Sequence, residues 1–515
     1  MPDGDVVIRR ARAAGDGGHC VADDFIEESV NVNDVYRSNE DKQEKENKKQ
    51  SMVMNQLFQF HISSIITHPL FVNTRFYSII PPMKHARAIA LILIFTIALI
   101  LKLHNYAAYP QRGATSDEYT YSFMGVSLLT LGVPISWSNF NIYKNTYDLI
   151  IDNLYFPMVF PYFDHPPLNG LLVGGWAIAS GENTFAKIKL STIRLVPIAL
   201  SLVSALLVYL LAKRWYDDRT ALWSLLIYTT ATTFVINGRV VFAENLLTPI
   251  LLLSLYLYTV QRVISARTAL ALGMLCGLSI WTKELGISVF FTFLSLFLHD
   301  RVPRRYLVML TLMFFLFGVG YLAYGTYFDS QTFLGILAAQ SARPIGPRVL
   351  QTLLNTPIIV NKPYFDGWYF FGFLCLLFAC FDVARHKLLV VPAAIYFFLL
   401  LFSINQEGEM GWYMIPLFPF MAIAAAHSLS ESINRKGWLI LVATLFVGLS
   451  AIRYLFEPAF GLVPMQFRIL LIILLAPLVL VGILGKQYTA RVSTIWFYLL
   501  IAATALQTFR YIHPA

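Results

Sequence analysis

Residues 191–236 read STIRLVPIALSLVSALLVYLLA (191–212), KRWYDD (213–218) and RTALWSLLIYTTATTFVI (219–236). The first and third pieces are apolar over most of their length, close to the ~20 residues an α-helix needs to cross a hydrocarbon core. The middle piece is a charged turn that opens on Lys213-Arg214. Two apolar helices joined by a basic turn make a membrane hairpin whose turn stays on the cytoplasmic side. The pattern recurs along the chain. Thirteen stretches read as spanning helices, at roughly 87–106, 191–212, 219–236, 241–260, 267–283, 285–299, 305–327, 367–384, 388–404, 411–430, 437–453, 467–484 and 492–510. The stretch 168–180 is apolar but short and follows two prolines, so it reads as an interfacial helix lying on the membrane.

The charges orient this scheme. With the N-terminus inside, the inner connections carry Lys84 and Arg87; Lys213, Arg214 and Arg219; Arg262 and Arg267; Arg301, Arg304 and Arg305; Arg385 and Lys387; Arg435 and Lys436; and Lys486 and Arg491. Thirteen of the 18 acids beyond residue 50 then face outside. Counting 168–180 as a span would invert every later loop and destroy the sorting. The composition agrees: 57% of the 515 residues are apolar and 13% charged, against about 25% charged in soluble domains. Residues 1–50 hold 12 acids and 8 bases, while the remainder holds 18 acids and 31 bases. A basic membrane body points to cytoplasmic loops and anionic membrane lipids, not to nucleic acid. Cys20, Cys276, Cys375 and Cys380 are too few and scattered for a disulfide framework.

The chain divides by composition. Residues 1–82 are polar or without period, and the charged run up to Lys49 cannot bury enough apolar surface to order itself. Met83-Lys84-His85-Ala86-Arg87 then resembles the basic head of an inserted segment, which leaves two readings open: an upstream extension with Met83 as the start, or a native disordered tail. Residues 83–430 form the body, with external segments at about 107–190 and 328–366, and 431–515 supply further helices.

The unusual polar residues gather at the outer ends. Ser116-Asp117-Glu118-Tyr119-Thr120-Tyr121 opens a helix, where the carboxylates serve either as a dipole-favoured cap or as a general base or metal ligand beside the bilayer. Tyr162-Phe163-Asp164-His165-Pro166-Pro167 fixes an acid and a histidine ahead of the interfacial helix, since the prolines stop any helix from running through. Arg239 and Glu244, in Gly238-Arg239-x4-Glu244-Asn245, suit a salt bridge. Lys283, in Trp281-Thr282-Lys283-Glu284, suits a lipid phosphate or snorkels to headgroups. Trp412 and Tyr413, before Pro416 and Pro419, suit an interfacial aromatic belt.

Taken in order, these clusters resemble the polytopic glycosyltransferases of the GT-C fold, in the branch that holds protein O-mannosyltransferases and lipid A aminoarabinose transferases. The resemblance covers about residues 85–430 and is strongest over 116–285, where Arg194 matches a basic position of the mannosyltransferases. It implies an all-α polytopic membrane protein with about 13 transmembrane helices and a first external loop carrying interfacial helices. It also implies an inverting transferase that moves a sugar from a polyprenyl-phosphate carrier to a protein, lipid or glycan acceptor at the outer or lumenal face of a cell membrane. Asp117 would be the general base. Glu118, Asp164, His165, Arg194, Arg239, Glu244, Lys283 and Tyr413 would bind substrate. No cofactor is required by the pattern; a divalent metal on Asp117, Asp164 and His165 is the one left open. The chain departs from the aminoarabinose transferases at Thr120, where they carry Arg, and at Asp164-His165, where they carry Glu-Lys. Residues 328–366 leave no room for the extra lumenal domain of eukaryotic mannosyltransferases. A transporter or lipid-linked sugar flippase is the rival reading, but no paired half-repeat supports it.

Overall fold

The computed structural model describes residues 84–151, 154–261, 263–342, 357–403, 411–435, 438–461, 463–484 and 486–514. The expected 1–82 segment, Met83, Glu407, Glu409 and part of the 328–366 segment lie outside these residues.

The body is helical. Its principal helices are α1 (Lys84–Leu103), α2 (Asp117–Leu131), α3 (Pro167–Ala179), α4 (Leu195–Trp215), α5 (Asp218–Thr230), α6 (Thr232–Asn237), α7 (Glu244–Val260), α8 (Ala266–Thr282), α9 (Ile287–His299), α10 (Arg304–Ser341), α11 (Gly367–Ala379), α12 (Val383–Leu401), α13 (Phe418–Arg435), α14 (Leu439–Phe456), α15 (Pro464–Leu484) and α16 (Lys486–Phe509). Each of the thirteen apolar stretches falls on one or more of these helices. Among the described residues six helices are long and apolar enough to cross a membrane: Leu190–Trp215, Arg304–Ser341, Gly367–Leu401, Gly411–Ile433, Leu439–Phe456 and Ala490–Phe509. The protein is an integral membrane protein. Large apolar side chains such as Ile92 (65% exposed) and Leu312 (64% exposed) face outward, as a lipid-contacting surface requires.

Local chemistry sets the helix ends. The Asp217 carboxylate accepts from Thr220 N–H at 2.7 Å and starts α5. Asp366 accepts from Trp368 N–H and Tyr369 N–H to start α11, and also from Thr233 N–H at 2.8 Å, which ties that start to α6. Helix α10 is two helices in sequence. At Asp329 the backbone leaves helical geometry, and the carboxylate caps the second piece through Gln331 N–H, Thr332 N–H and the Thr332 hydroxyl. The expected span at 305–327 therefore continues, past a bend, as a segment that returns to the first external loop. Lys144 donates to Gln331 at 2.7 Å, and Phe333 and Ile336 join the buried cluster under that loop.

The 107–190 segment carries strands as well as helices. β1 (Ser136–Trp137), β3 (Leu154–Val159) and β2 (Thr146–Ile151) form a small antiparallel sheet in that order, with Tyr147 opposite Met158 and Leu149 opposite Phe156. The sequence reading finds no strand there. The strands are short, and the β-branched and aromatic residues of Thr146–Ile151 sit among polar neighbours, so their period-2 signal is weak. Helix α2 lies on α3 through Gly125, Gly170 and Gly174. A Cβ at Gly125 would collide with the Gly170 carbonyl, and one at Gly174 with the backbone at Gly125–Val126. This backbone-to-backbone contact fixes the start of α2, with its two carboxylates, relative to the Asp164-His165 segment that precedes α3.

Candidate active site

Asp117 and Glu118 share the first turn of α2 and part company there. Glu118 is buried, and the Arg194 guanidinium grips it in a bidentate pair: Nε to Oε1 at 2.8 Å and Nη2 to Oε2 at 2.6 Å. Arg194 spends two more of its donors on the Tyr106 and Pro110 carbonyls, at 2.6 and 2.8 Å. Glu118 also accepts from Val241 N–H at 3.2 Å. This is a closed clamp linking α1's exit, α2, α4 and the 238–243 turn. This departs from the expectation that Arg194 meets the donor: the guanidinium is fully buried, and four of its five N–H groups are engaged within the protein.

Arg239 moves the same way. It does not pair with Glu244; it donates to the His104 carbonyl at 2.8 Å and lies buried near Arg194 and Lys102. The expected Arg239–Glu244 bridge is absent: Glu244, the first residue of α7, pairs with Lys283, and Arg239 donates to the His104 carbonyl. Lys102, fully buried in the last turn of α1, has no hydrogen-bond partner among the described residues, and sequence reasoning missed it. A basic residue in the last turn of an apolar span was the signal.

Glu244 faces Lys283 instead, Nζ to Oε1 at 3.7 Å, with both side chains buried. Neither Glu244 oxygen accepts a hydrogen bond among the described residues. Lys283 follows the last residue of α8 and stands 5.6 Å from the centre of the Tyr413 ring. Trp412 stacks on Phe242 at 4.4 Å and is buried, so it serves the core and not an aromatic belt.

The segment before α3 completes the site. Pro166-Pro167 starts the helix, as expected. Tyr143 donates to Asp164 Oδ1 at 2.6 Å, and Gln340, from the second half of α10, donates to the Asp164 carbonyl at 2.6 Å. The His165 ring stacks on Tyr121 at 4.6 Å. Burial and the adjacent Asp164 push the Tyr143 hydroxyl far above its ordinary range, so it stays a donor. Burial likewise raises Tyr121 and Tyr162, and the Asp117 charge is felt at both tyrosines and at Glu244. Asp117 thus lies within electrostatic reach of Tyr121, Tyr162 and Glu244.

A cavity of about 350 Å³ opens between these pieces. Its lining combines Asp164, His165, Lys283, Glu284 and Tyr413 with the apolar Leu285, Leu337 and Phe402. Such a lining suits a ligand with a charged head and a hydrocarbon tail. Glu284 and Gln340 are additions to the expected set. Glu284 stands beside Lys283 in the sequence, whereas nothing local marks Gln340. Among the described residues no three of His, Cys, Asp and Glu converge as a metal cage, so Asp117, Asp164 and His165 do not form one by themselves.

Comparison with known proteins follows the same lines. The family model of dolichyl-phosphate-mannose-protein mannosyltransferase matches residues 164–326, about a third of the chain. That stretch contains Asp164, His165, Arg194, Arg239, Glu244 and Lys283. The apo structure of ArnT from Cupriavidus metallidurans is similar in fold, with a TM-score of 0.52 at 16% identity over 82% of this chain and 78% of that one. The Archaeoglobus fulgidus oligosaccharyltransferase in apo form aligns with a TM-score of 0.47 at 12% identity over 84% of this chain, which spans 57% of that protein's length. The same organism's AglB, in complex with an inhibitory peptide and a dolichol-phosphate, aligns at 13% identity with a TM-score of 0.47, over 82% of this chain and 56% of that one. No curated protein sequence matches. The family model and the ArnT-like fold bear out the resemblance to GT-C glycosyltransferases of the mannosyltransferase type.

Proposed function

We propose that this protein is an inverting membrane glycosyltransferase. It takes a sugar from a polyprenyl-phosphate donor at the outer face and passes it to an acceptor on a protein, lipid or glycan. One observation carries the reading: Asp164-His165 and Lys283, from separate stretches of chain, line one cavity of mixed polar and apolar residues, with Glu244 paired to Lys283 behind it and Asp117 within electrostatic reach of Glu244. The matched family's name makes mannose on dolichyl phosphate the first donor to try.

In this reading the cell-membrane protein has thirteen spans, an inside N-terminus and an outside C-terminus; residues 83–430 are the catalytic module and 431–515 supporting helices. The isoprenoid chain lies along Leu285, Leu337 and Phe402, and the phosphate meets Lys283. The unsatisfied oxygens of Glu244 accept sugar hydroxyls. Asp117 takes the proton of the acceptor hydroxyl as its oxygen attacks the anomeric carbon. The bond from that carbon to the phosphate oxygen breaks, and its electron pair leaves with polyprenyl phosphate, stabilised by the lysine. Asp164, oriented by Tyr143 and Gln340, and His165, stacked on Tyr121, hold the substrate's polar end. Arg194, Arg239 and Glu118 act from behind by fixing the start of α2. No step is routed through a metal.

Lys283→Gln tests this. Loss of a charge-assisted phosphate contact of roughly 1.5–3 kcal/mol should raise the apparent Michaelis constant for the donor about ten- to a hundredfold while the acceptor constant stays put. A variant with unchanged donor kinetics would mean that Lys283 serves only to neutralise Glu244.

A further inference from the structure

A second, larger cavity of about 580 Å³ opens at the other end of the helices, between the C-termini of α4, α7 and α9 and the N-terminus of α12. Glu244 begins α7 at the proposed active site, whereas Tyr258 and Thr259, which line this second cavity, end it. The 17 residues of α7 make it about 25 Å long, so the two sites are separate.

The lining is strongly unbalanced in charge. Arg214, Arg301, Arg385 and Lys387 face one acid, Asp300. Burial pushes the Asp300 carboxyl up, but hydrogen bonds from Lys387, Tyr258 and His299 outweigh that and hold it at about 2, so it is ionised and already committed to Lys387. Arg385 has Glu431 at 3.3 Å. Arg214 donates only to the neutral Thr259 carbonyl, at 3.2 and 3.1 Å, and neither it nor Arg301 has a carboxylate within ion-pair distance among the described residues. Trp215 lines the same cavity, and its buried indole N–H has no acceptor among the described residues. Two uncompensated guanidinium groups and an idle donor call for a ligand that is anionic and only accepts hydrogen bonds. Val263, 80% exposed at the rim, offers an apolar edge beside this basic interior.

We propose that this cavity binds a phosphoester anion, held between Arg214 and Arg301. The source is either the headgroup of a membrane phospholipid, whose chains would run past Val263, or phosphate from solution. Basic pockets between helices at the cytoplasmic surface are suited to such headgroups. The proposal stands apart from the transferase reading and concerns none of its residues.

The test uses the purified full-length protein in a neutral detergent, with phosphatidylglycerol and inorganic phosphate as separate probes. Native mass spectrometry counts bound phosphatidylglycerol, and thermal unfolding is followed against each probe. The expected result is saturable binding with a rise in unfolding temperature. Arg301→Gln, an exposed turn position that tolerates the change, should weaken binding at least tenfold, and Arg214→Gln with Arg301→Gln should abolish it. Arg267→Gln removes an exposed cation close in sequence but absent from the cavity lining, and should leave binding unchanged. Retention of phosphatidylglycerol that phosphate cannot displace assigns the site to a headgroup; saturation by phosphate alone assigns it to a soluble phosphate. Failure of both probes to bind the native protein overturns the proposal. So does an equal loss in Arg267→Gln, which would show that general basicity, not the cavity, attracts the anion.

Discussion

Asp117→Asn should lower transfer about 10²- to 10⁴-fold, the range a positioned general base contributes, and leave the protein folded. The residue occupies the first position of α2, where asparagine keeps the size of aspartate and can still receive hydrogen bonds near the helix start. What it loses is the negative charge and the capacity to take a proton. The fold does not hang on that charge, because the buried clamp beside it belongs to Glu118 and Arg194. The check is donor turnover measured alongside the unfolding temperature. Activity within a few-fold of wild type would reduce Asp117 to a helix-capping carboxylate.

Arg194→Gln should have the opposite profile, with stability as its main casualty. Removing one partner of a buried ion pair leaves the other charge uncompensated, at about 3–5 kcal/mol. Here Glu118 would lose both guanidinium contacts, and the Tyr106 and Pro110 carbonyls would lose theirs. Arg194→Lys should recover little, since an ammonium cannot reproduce the bidentate geometry. Thermal unfolding in detergent decides. If Arg194→Gln unfolds at the wild-type temperature but raises the donor Michaelis constant, Arg194 meets the phosphate and the clamp is not structural.

These two residues mark how far sequence reasoning reaches. Hydropathy and the sorting of charges locate the helices, because crossing a bilayer demands long apolar runs and the inner turns demand cations. The polar clusters can also be found one by one, since ionisable residues at membrane depth are costly and so stand out. Which cation meets which acid is a different matter. Arg239 and Glu244 are five residues apart, yet the start of α7 falls between them and sends them to different neighbours. Lys283 is 39 residues from Glu244 and finds it across the α7–α8 packing. Arg194 and Glu118 are brought together by the docking of the external loop, which depends on backbone contact at Gly125 and Gly174. Gln340 reaches Asp164 only because α10 bends at Asp329. These pairings depend on three-dimensional packing that has no period in the sequence.

The proposed transfer of a sugar from a lipid phosphate rests on Asp117 acting together with the cavity that Asp164 and Lys283 line. The most direct measurement reconstitutes the purified protein in liposomes with radiolabelled dolichyl-phosphate mannose and a pool of membrane acceptors, and follows both products. Free dolichyl phosphate should appear in step with a new mannoside of inverted anomeric configuration, and Asp117→Asn should yield neither. Movement of intact donor across the bilayer with no bond broken, equal in wild type and Asp117→Asn, would contradict the proposed transfer and identify a flippase.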